Sequence, residues 1–470
     1  MDNMRLRKIN DSITKGNLRL SLWKLAGPMI ASALLHDLFS LVDLFFVGRL
    51  GYVAVAALSI CGVIIAIIMM MAIGISTGTT ALVAHFTGKK DYLSADNVLF
   101  QTIAISIICS LVMVFTGLFG TTWLLRIFGA TPEIIPVAYG YLKISFVWSI
   151  FIFLFVGFTQ SLRGSGDVVV PLKVLIFANL LNIVLDPLFI FGIGFFPGMG
   201  VSGSAVATVI SQAAGVLILL GHFIFGHSSL HFSKKAFKIN FGVIGRMVRI
   251  GFFASFEVLL RQVSLLLLVR LVASFGAAAL AAFGIALRLR MAVMMVGMGM
   301  GIATAVLIGQ NMGAGQPQRA MQSGKDTLKY YQLIVIPAAV LFFIFAPQTI
   351  GVFNNHPEVI KIGTSLLRFV AVTLPFLASS LILGRGMTGA GDTIAPAAMT
   401  GITQLGLRVP VAYLLALAVG LGTNGIWLGI NVSDIVQGVA MFWYFRKGFW
   451  QKRYHKHRAI LEEASPITIA

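Results

Sequence analysis

The chain contains about twelve apolar stretches that are each long enough to cross a lipid bilayer as a helix, which takes about 20 residues. Backbone N–H and C=O groups find no water in the bilayer core, so a helix that pairs them internally is the conformation open to such stretches. The sequence therefore predicts an all-α integral membrane protein with twelve transmembrane helices. We place them near residues 22–46, 53–84, 98–120, 136–159, 170–192, 201–225, 246–272, 278–309, 329–346, 363–384, 396–420 and 425–446.

Composition and charge agree with a membrane protein. Hydrophobic residues make up 58% of the chain and charged residues 11%, too few charges to cover a soluble protein of this size. The net charge of +19 comes from Lys and Arg gathered near the N-terminus, around residues 234–249 and in the last 25 residues. Basic residues accumulate on the cytoplasmic side of membrane proteins, so we expect both termini and the central connector to be cytoplasmic. The charge distribution gives no indication of nucleic acid as a partner.

One pattern of residues occurs twice in the sequence. Gly164-Ser165-Gly166-Asp167 recurs as Gly389-Ala390-Gly391-Asp392, an offset of 225 residues (391 − 166). The same offset relates Phe128, Pro132 and Glu133 to Phe353, Pro357 and Glu358, and Gly74 to Gly299. A constant offset over such distances indicates an internal duplication. Each half holds six predicted spans, an even number, so both halves enter the membrane from the same side as two parallel six-helix repeats.

The duplication divides the chain into five regions. We assign a cytoplasmic N-terminal segment to residues 1–21, an N-terminal six-helix lobe to 22–226, a cytoplasmic connector to 227–245, a C-terminal six-helix lobe to 246–446 and a cytoplasmic basic tail to 447–470. Transporters often build a central binding site from two such related halves.

A carboxylate inside a predicted span costs roughly 2.5–3.5 kcal/mol on insertion scales and therefore needs a reason, and three such residues stand out. They are Asp43, Asp186 and Glu257. The positions equivalent to Asp43 and Asp186 in the second half are Leu268 and Val411. The scaffold does not need an acid there, which favours a functional role. The alternatives are a helix-end residue for Asp43 and a structural partner of an arginine for Asp186.

Helical periodicity places further polar side chains beside these acids. Asn179, Asn182 and Asp186 lie within about 60° of each other around one helix. His36, Ser40 and Asp43 share a face of the first span, as do Ser204, Thr208 and Gln212 of the sixth. Such oxygen ligands suit sodium, and a carboxyl group removed from water suits proton exchange. We expect H⁺ or Na⁺ as the coupling ion, with a sodium site at Asp43, Asn182 and Asp186 as one alternative, and no other cofactor.

The second half carries its own charged residues near or within spans. Glu257 precedes Arg261 by one helical turn, so an ion pair along the helix competes with a transport role. Arg408 lies deepest in its span and is the arginine expected to face a cavity. Several of the other arginines are expected to extend their charged ends to the membrane interface; these others are Arg270, Arg288, Arg290 and Arg385. We interpret the methionine-rich run of residues 291–300 as packing rather than a binding surface.

Five short stretches of the sequence form a recognisable set: residues 42–51 (VDLFFVGRLG), 162–167 (LRGSGD), 182–187 (NIVLDP), 254–257 (ASFE) and 388–392 (TGAGD). They resemble the multidrug and toxic compound extrusion (MATE) family of secondary transporters. The resemblance extends over about residues 15–450. It implies two six-helix lobes that alternate access to the two sides of the membrane, driven by inward movement of protons or sodium.

The resemblance also implies roles for individual residues. Asp43, Asn182 and Asp186 match the family's cation-coupling cluster, with Thr208 as a fourth member and Tyr141 similar to a tyrosine near it. Glu257 matches an acid of the seventh helix. One branch of the family uses an aspartate in the tenth span, but residues 369–383 contain no acid. Coupling is therefore expected in the first lobe alone.

We therefore expect an antiporter that exports small organic cations and drugs, bound in a cleft between the lobes, in exchange for protons or sodium. It is expected to act as a monomer in the inner (plasma) membrane of a prokaryote. The alternative is a flippase for lipid-linked or anionic lipid substrates, suggested by the arginines of the second half. An enzyme is not expected, because no metalloprotease motif and no paired cysteine ligands occur, and no phosphate-binding loop for ATP is present.

Overall fold

The computed structural model describes residues 13–192, 197–226 and 228–454. Residues 1–12 of the predicted N-terminal segment, His227 at the start of the predicted connector, and residues 455–470 of the basic tail lie outside the described residues. The side chains of Asp37 and Ser40 on the first span also lie outside them.

The described chain is built from helices, and no strand occurs within the described ranges, which confirms the predicted fold class. In chain order the helices are α1 (Leu18–Gly48), α2 (Tyr52–Gly88), α3 (Tyr92–Phe119), α4 (Thr121–Ile127), α5 (Ile134–Val147), α6 (Ser149–Gly164), α7 (Val169–Pro187), α8 (Val201–Ile224), α9 (Phe241–Ala273), α10 (Ala277–Gly313), α11 (Pro317–Ile344), α12 (Ala346–Gly351), α13 (Pro357–Gly389), α14 (Ile394–Gly401), α15 (Val409–Tyr413) and α16 (Thr423–Arg446). A short 3₁₀ turn, Lys234–Ala236, lies in the connector.

Eleven helical segments of the described chain are long and apolar enough to cross a membrane, or twelve when the bent pair α5 and α6 counts as one span. The helix predicted over residues 136–159 bends by 51° between Val147 and Ser149. No proline or glycine lies at that break. In the second half the corresponding span is the continuous helix α13.

The described chain forms two compact units, and the division between them falls inside α1 and inside α9. One unit contains Ala31–Gly251, and the other contains Asn17–Ile30 together with the chain from Phe252 onward. Glycine permits close backbone contacts near both of these positions. A Cβ atom on Gly299 would lie 2.6 Å from the Cα of Ile30, and one on Gly251 would lie 2.6 Å from the carbonyl oxygen of Gly74. The repeated glycines at positions 74 and 299 therefore serve equivalent helix contacts.

The duplicated glycine-aspartate loops have the same backbone geometry. Gly166 has φ of 95° and Gly391 has φ of 86°, a region that residues with a Cβ rarely adopt. The aspartate that follows each glycine then accepts hydrogen bonds from the start of the next helix. Asp167 accepts from the N–H groups of Val169 and Val170 at 3.2 Å. Asp392 accepts from Ala395 N–H at 3.4 Å. The repeat thus preserves a turn that ends one span and begins the next.

A second feature common to both halves is a stretch of π-helix. In the first half, α7 continues after Pro187 as the π-helix Leu188–Gly192. In the second half, α15 continues as the π-helix Leu414–Ala418 at nearly the same offset, and a longer π-helix, Ile402–Arg408, joins α14 to α15. The sequence predicted a bend at Pro187, and the structure shows a change of helix type at that residue. Such π segments often occur at functional sites.

Candidate functional site

The two carboxylates of the first unit lie together. Asp43 projects from α1 and is half-buried, while Asp186 projects from the last turn of α7 and is fully buried. Their carboxyl groups lie within hydrogen-bonding reach of each other. One oxygen of each group, Oδ1 of Asp43 and Oδ2 of Asp186, is buried and receives no hydrogen bond from the described residues. Two ionised carboxylates this close repel each other, and a proton or a cation between them would reduce that repulsion.

Asn182 connects this pair to a third helix. Its Nδ2 lies 3.4 Å from Asp186 Oδ1, one turn further along α7. The same Nδ2 lies 3.4 Å from the hydroxyl oxygen of Thr208 on α8. Both distances lie near the upper limit for a hydrogen bond. The structure thus brings together Asp43, Asn182, Asp186 and Thr208 from three helices.

Four other predicted site residues lie on the same helices or near them. Tyr141 on α5 is close enough to both carboxyl groups to interact with them electrostatically. Asn179 lies two turns before Asp186, and its Nδ2 is buried without an acceptor in the described structure. Ser204 is buried one turn before Thr208. His36 lies two turns before Asp43 and is exposed.

The donor set of this cluster consists of oxygens and one amide group, which suits a proton or a sodium ion. No group of three or more His, Cys, Asp or Glu side chains able to hold a metal ion occurs within the described residues.

The second unit carries charged groups arranged around ion pairs. Glu257 accepts a hydrogen bond from Arg261 at 2.7 Å along α9, as the spacing of the two residues predicts. A second carboxylate, Asp434 of α16, is fully buried and pairs with Arg290 of α10 at 3.1 Å and with Arg408. Sequence reasoning missed Asp434. Its equivalent in the first half is Val209 (434 − 225), so the comparison that selected Asp43 and Asp186 would also have found this acid.

A chain of hydrogen bonds runs from Gln404 to Glu257 across four segments. Gln404 in the long π-helix donates to Gln437 of α16 at 2.7 Å, and Gln437 donates to the hydroxyl of Thr400 at 2.9 Å. Thr400 in turn lies 3.3 Å from Glu257. Polar side chains of α9, α14, the π-helix and α16 thus form one connected wall.

The wall borders a cavity of about 360 Å³ that lies within the second unit. Glu257 and Arg408 line it, together with Arg261, Arg290 and Arg385. Met291, Met294 and Met298 of α10 also line it. Periodicity identifies one face of α10, but not which face meets a cavity. The volume of the cavity lies in the range of small-molecule sites.

Known proteins match this chain over nearly its whole length. The MatE family model matches residues 28–188 and 254–414, one stretch in each half. The probable multidrug resistance protein YoeA of Bacillus subtilis (strain 168) is 27% identical over 449 residues, which cover 94% of this chain and 97% of that protein. The FAD transporter of Shewanella oneidensis is 26% identical over 418 residues, covering 86% and 89%.

The fold matches as well. A crystal structure of MATE in the bent conformation superposes with a TM-score of 0.88 at 24% sequence identity, and the match covers 95% of this chain and 99% of that chain. Because the family model covers more than half of the residues and both halves of the duplication, this chain belongs to the MatE family.

Proposed function

We propose that this chain is a secondary active efflux transporter that exports small organic compounds, many of them cationic, in exchange for protons or sodium ions. The observation that carries the proposal is the pairing of Asp43 with Asp186, which leaves one oxygen of each carboxyl group buried and without a hydrogen bond. The names of the relatives, a probable multidrug resistance protein and an FAD transporter, support a small-compound substrate.

In this mechanism the carboxylate pair couples the two flows. A bound proton or sodium ion lowers the negative charge of the Asp43–Asp186 pair, and an arriving cationic compound competes with that ion for the same carboxylates. Because ion and compound compete for the same two carboxylates, the protein releases one as it binds the other. Asn182 and Thr208 hold Asp186 in position through the two contacts of 3.4 Å. Alternating access then carries the compound outward and the ion inward, and the protein works in the plasma membrane of a prokaryotic cell without a resident cofactor.

The second candidate is a flippase for lipid-linked or other anionic lipids. The observation that favours it is the group of arginines around the cavity of the second unit, since guanidinium groups bind phosphate well. Drug susceptibility of cells that express the protein separates the two candidates. An exporter lowers susceptibility to organic cations such as ethidium, whereas a dedicated lipid flippase leaves it unchanged.

The test of the main proposal is ethidium efflux from proteoliposomes with an imposed proton gradient or sodium gradient. We expect one gradient to drive efflux in the wild type and in Glu133→Gln, an exposed acid of the same unit. We expect Asp186→Asn to abolish efflux while its reconstituted amount stays equal to the wild type. Loss of the Asp186→Asn protein from the membrane would instead indicate a structural role, and efflux under neither gradient would contradict the proposal.

A further inference from the structure

The cavity of the second unit carries an excess of positive charge. Four guanidinium groups line it, from Arg261, Arg290, Arg385 and Arg408. Two carboxylates compensate them. Glu257 pairs with Arg261, and Asp434 is shared between Arg290 and Arg408. Within the described residues Arg385 forms no ion pair or hydrogen bond. Four cations against two anions leave two positive charges around a cavity of about 360 Å³.

Some hydrogen-bond donors at this cavity are also unused. The Nε atom of Arg408 is buried and donates to no described acceptor, although the side chain is more than nine-tenths buried. The hydroxyl of Ser380, which also lines the cavity, is buried without a partner in the described structure. Buried donors in native proteins are nearly always paired, so this combination of surplus charge and unused donors indicates a missing acceptor.

The surrounding fold holds the two arginines in place. Arg408 ends the π-helix Ile402–Arg408, whose irregular backbone leaves carbonyl oxygens to be satisfied by side chains. Ser264 donates to the Gln404 carbonyl at 2.9 Å, and Ser433 donates to the Thr403 carbonyl at 2.7 Å. The stem of Arg385 lies against Gly301, where a Cβ atom would come within 3.1 Å of its Cγ. Glycine at that position makes room for the arginine.

The rest of the cavity is apolar. Met291, Met294 and Met298 contribute flexible thioether side chains, and Leu377 and Leu381 contribute aliphatic ones. Methionine adapts to ligands of different shape, so this part suits an apolar body without fixed geometry. The cavity therefore combines a cationic region with an adaptable apolar one.

We propose that this cavity binds amphipathic compounds that carry an oxyanion, a carboxylate or a phosphate, with Arg385 and Arg408 holding the acidic group and the methionines holding the apolar body. A planar guanidinium donates two parallel hydrogen bonds to either oxyanion, which gives both charge and geometric fit. This proposal adds an acidic class of substrate to the proposed function. It rests on that function for the claim that a bound compound is exported. The oxyanion belongs either to a soluble compound or to a lipid headgroup.

The test is binding of tritiated phenylbutyrate to the protein in phosphatidylcholine nanodiscs, with empty nanodiscs as background. We expect saturable binding that unlabelled phenylbutyrate and phenylbutyl phosphate displace at least about tenfold better than phenylbutanol or phenylbutyltrimethylammonium. Arg385→Gln is expected to weaken binding by at least about tenfold, with Arg385→Lys in between, because lysine keeps the charge but not the paired donors. Arg368→Gln, an exposed arginine of the same helix, is the matched control and should bind as the wild type does.

Two further arms complete the experiment. Displacement of phenylbutyrate by phosphatidate within the nanodisc identifies a lipid headgroup as the source of the oxyanion, and displacement only by the soluble compounds identifies a soluble substrate. No gradient is applied, so the binding result does not depend on the ion coupling proposed for Asp186. The proposal is overturned if phenylbutyrate binds no better than phenylbutanol, or if Arg385→Gln protein with normal size-exclusion behaviour binds it as tightly as the wild type.

Discussion

Asp43 of α1 and Asp186 of α7 place their carboxyl groups within hydrogen-bonding reach of each other in the first unit. Neither acid has a counterpart in the second half, where Leu268 and Val411 stand at the equivalent positions. Neither forms an ion pair with a basic side chain in the described structure. A carboxylate pair without a basic partner depends on bound protons or cations to offset its negative charge, and an ion-coupled transporter needs such a dependence.

The contact between Asn182 and Asp186 predicts a change in ion dependence. Asn182→Ala removes the amide that lies 3.4 Å from Asp186 Oδ1. Loss of one hydrogen bond, about 1 kcal/mol, corresponds to about a fivefold change in the ion concentration for half-maximal efflux. Thr208→Val is expected to have a smaller effect, because its hydroxyl contacts Asn182 and reaches Asp186 only through it. The measurement is ethidium efflux over a series of pH values and sodium concentrations, and identical profiles for all three proteins would remove Asn182 from the site.

The buried triad of Asp434, Arg290 and Arg408 predicts a large loss of stability when its acid is removed. Asp434→Asn leaves two arginines without their shared carboxylate, and breaking a buried ion pair costs about 3–5 kcal/mol. Removing the Arg261–Glu257 pair with Arg261→Gln should cost no more than about 1 kcal/mol, because that pair lies within one helix and is partly exposed.

Thermal and denaturant unfolding in detergent, followed by tryptophan fluorescence, compares the two variants. Adding Arg290→Gln to Asp434→Asn should recover part of the loss, because one unpaired cation is then removed. If Asp434→Asn proves no less stable than Arg261→Gln, the triad does not stabilise the second unit.

The repeated loops predict matched penalties in the two halves. Alanine at Gly166 or Gly391 must adopt φ near +90°, which costs about 1–2 kcal/mol. Gly284 is the control, since it lies exposed inside α10 with open space around its Cα, and alanine there favours the helix. We expect Gly166→Ala and Gly391→Ala to lower the unfolding temperature by similar amounts and Gly284→Ala to leave it unchanged or raise it. If only one of the two loop variants lowers the unfolding temperature, the two loops do not contribute equally to stability.

Much of this architecture follows from the sequence because it depends on length and periodicity. Apolar length predicted the spans, and the offset of 225 predicted the paired loops whose glycines share a positive φ. Helical spacing placed Asn182 beside Asp186 and Arg261 beside Glu257. These relationships are local, so one chain segment determines each of them.

The parts that escaped prediction depend on contacts between distant segments. The break at Trp148 has no proline or glycine to mark it. That Met294 and Arg385 face one cavity depends on how α10 and α13 pack, which the period of either helix leaves open. Asp434 is a different case, because its position inside a predicted span was visible in the sequence.

The measurement that tests the coupling claim most directly is ion release from the purified protein when a compound binds. Ethidium is added to weakly buffered protein in detergent, with a pH indicator in sodium-free solution and a sodium electrode in a parallel sample. If Asp43 and Asp186 share an ion that the compound replaces, the wild type releases about one proton or one sodium ion per bound ethidium, and Asp186→Asn releases none. Equal release from both proteins, or ethidium binding without any release from the wild type, would contradict the account.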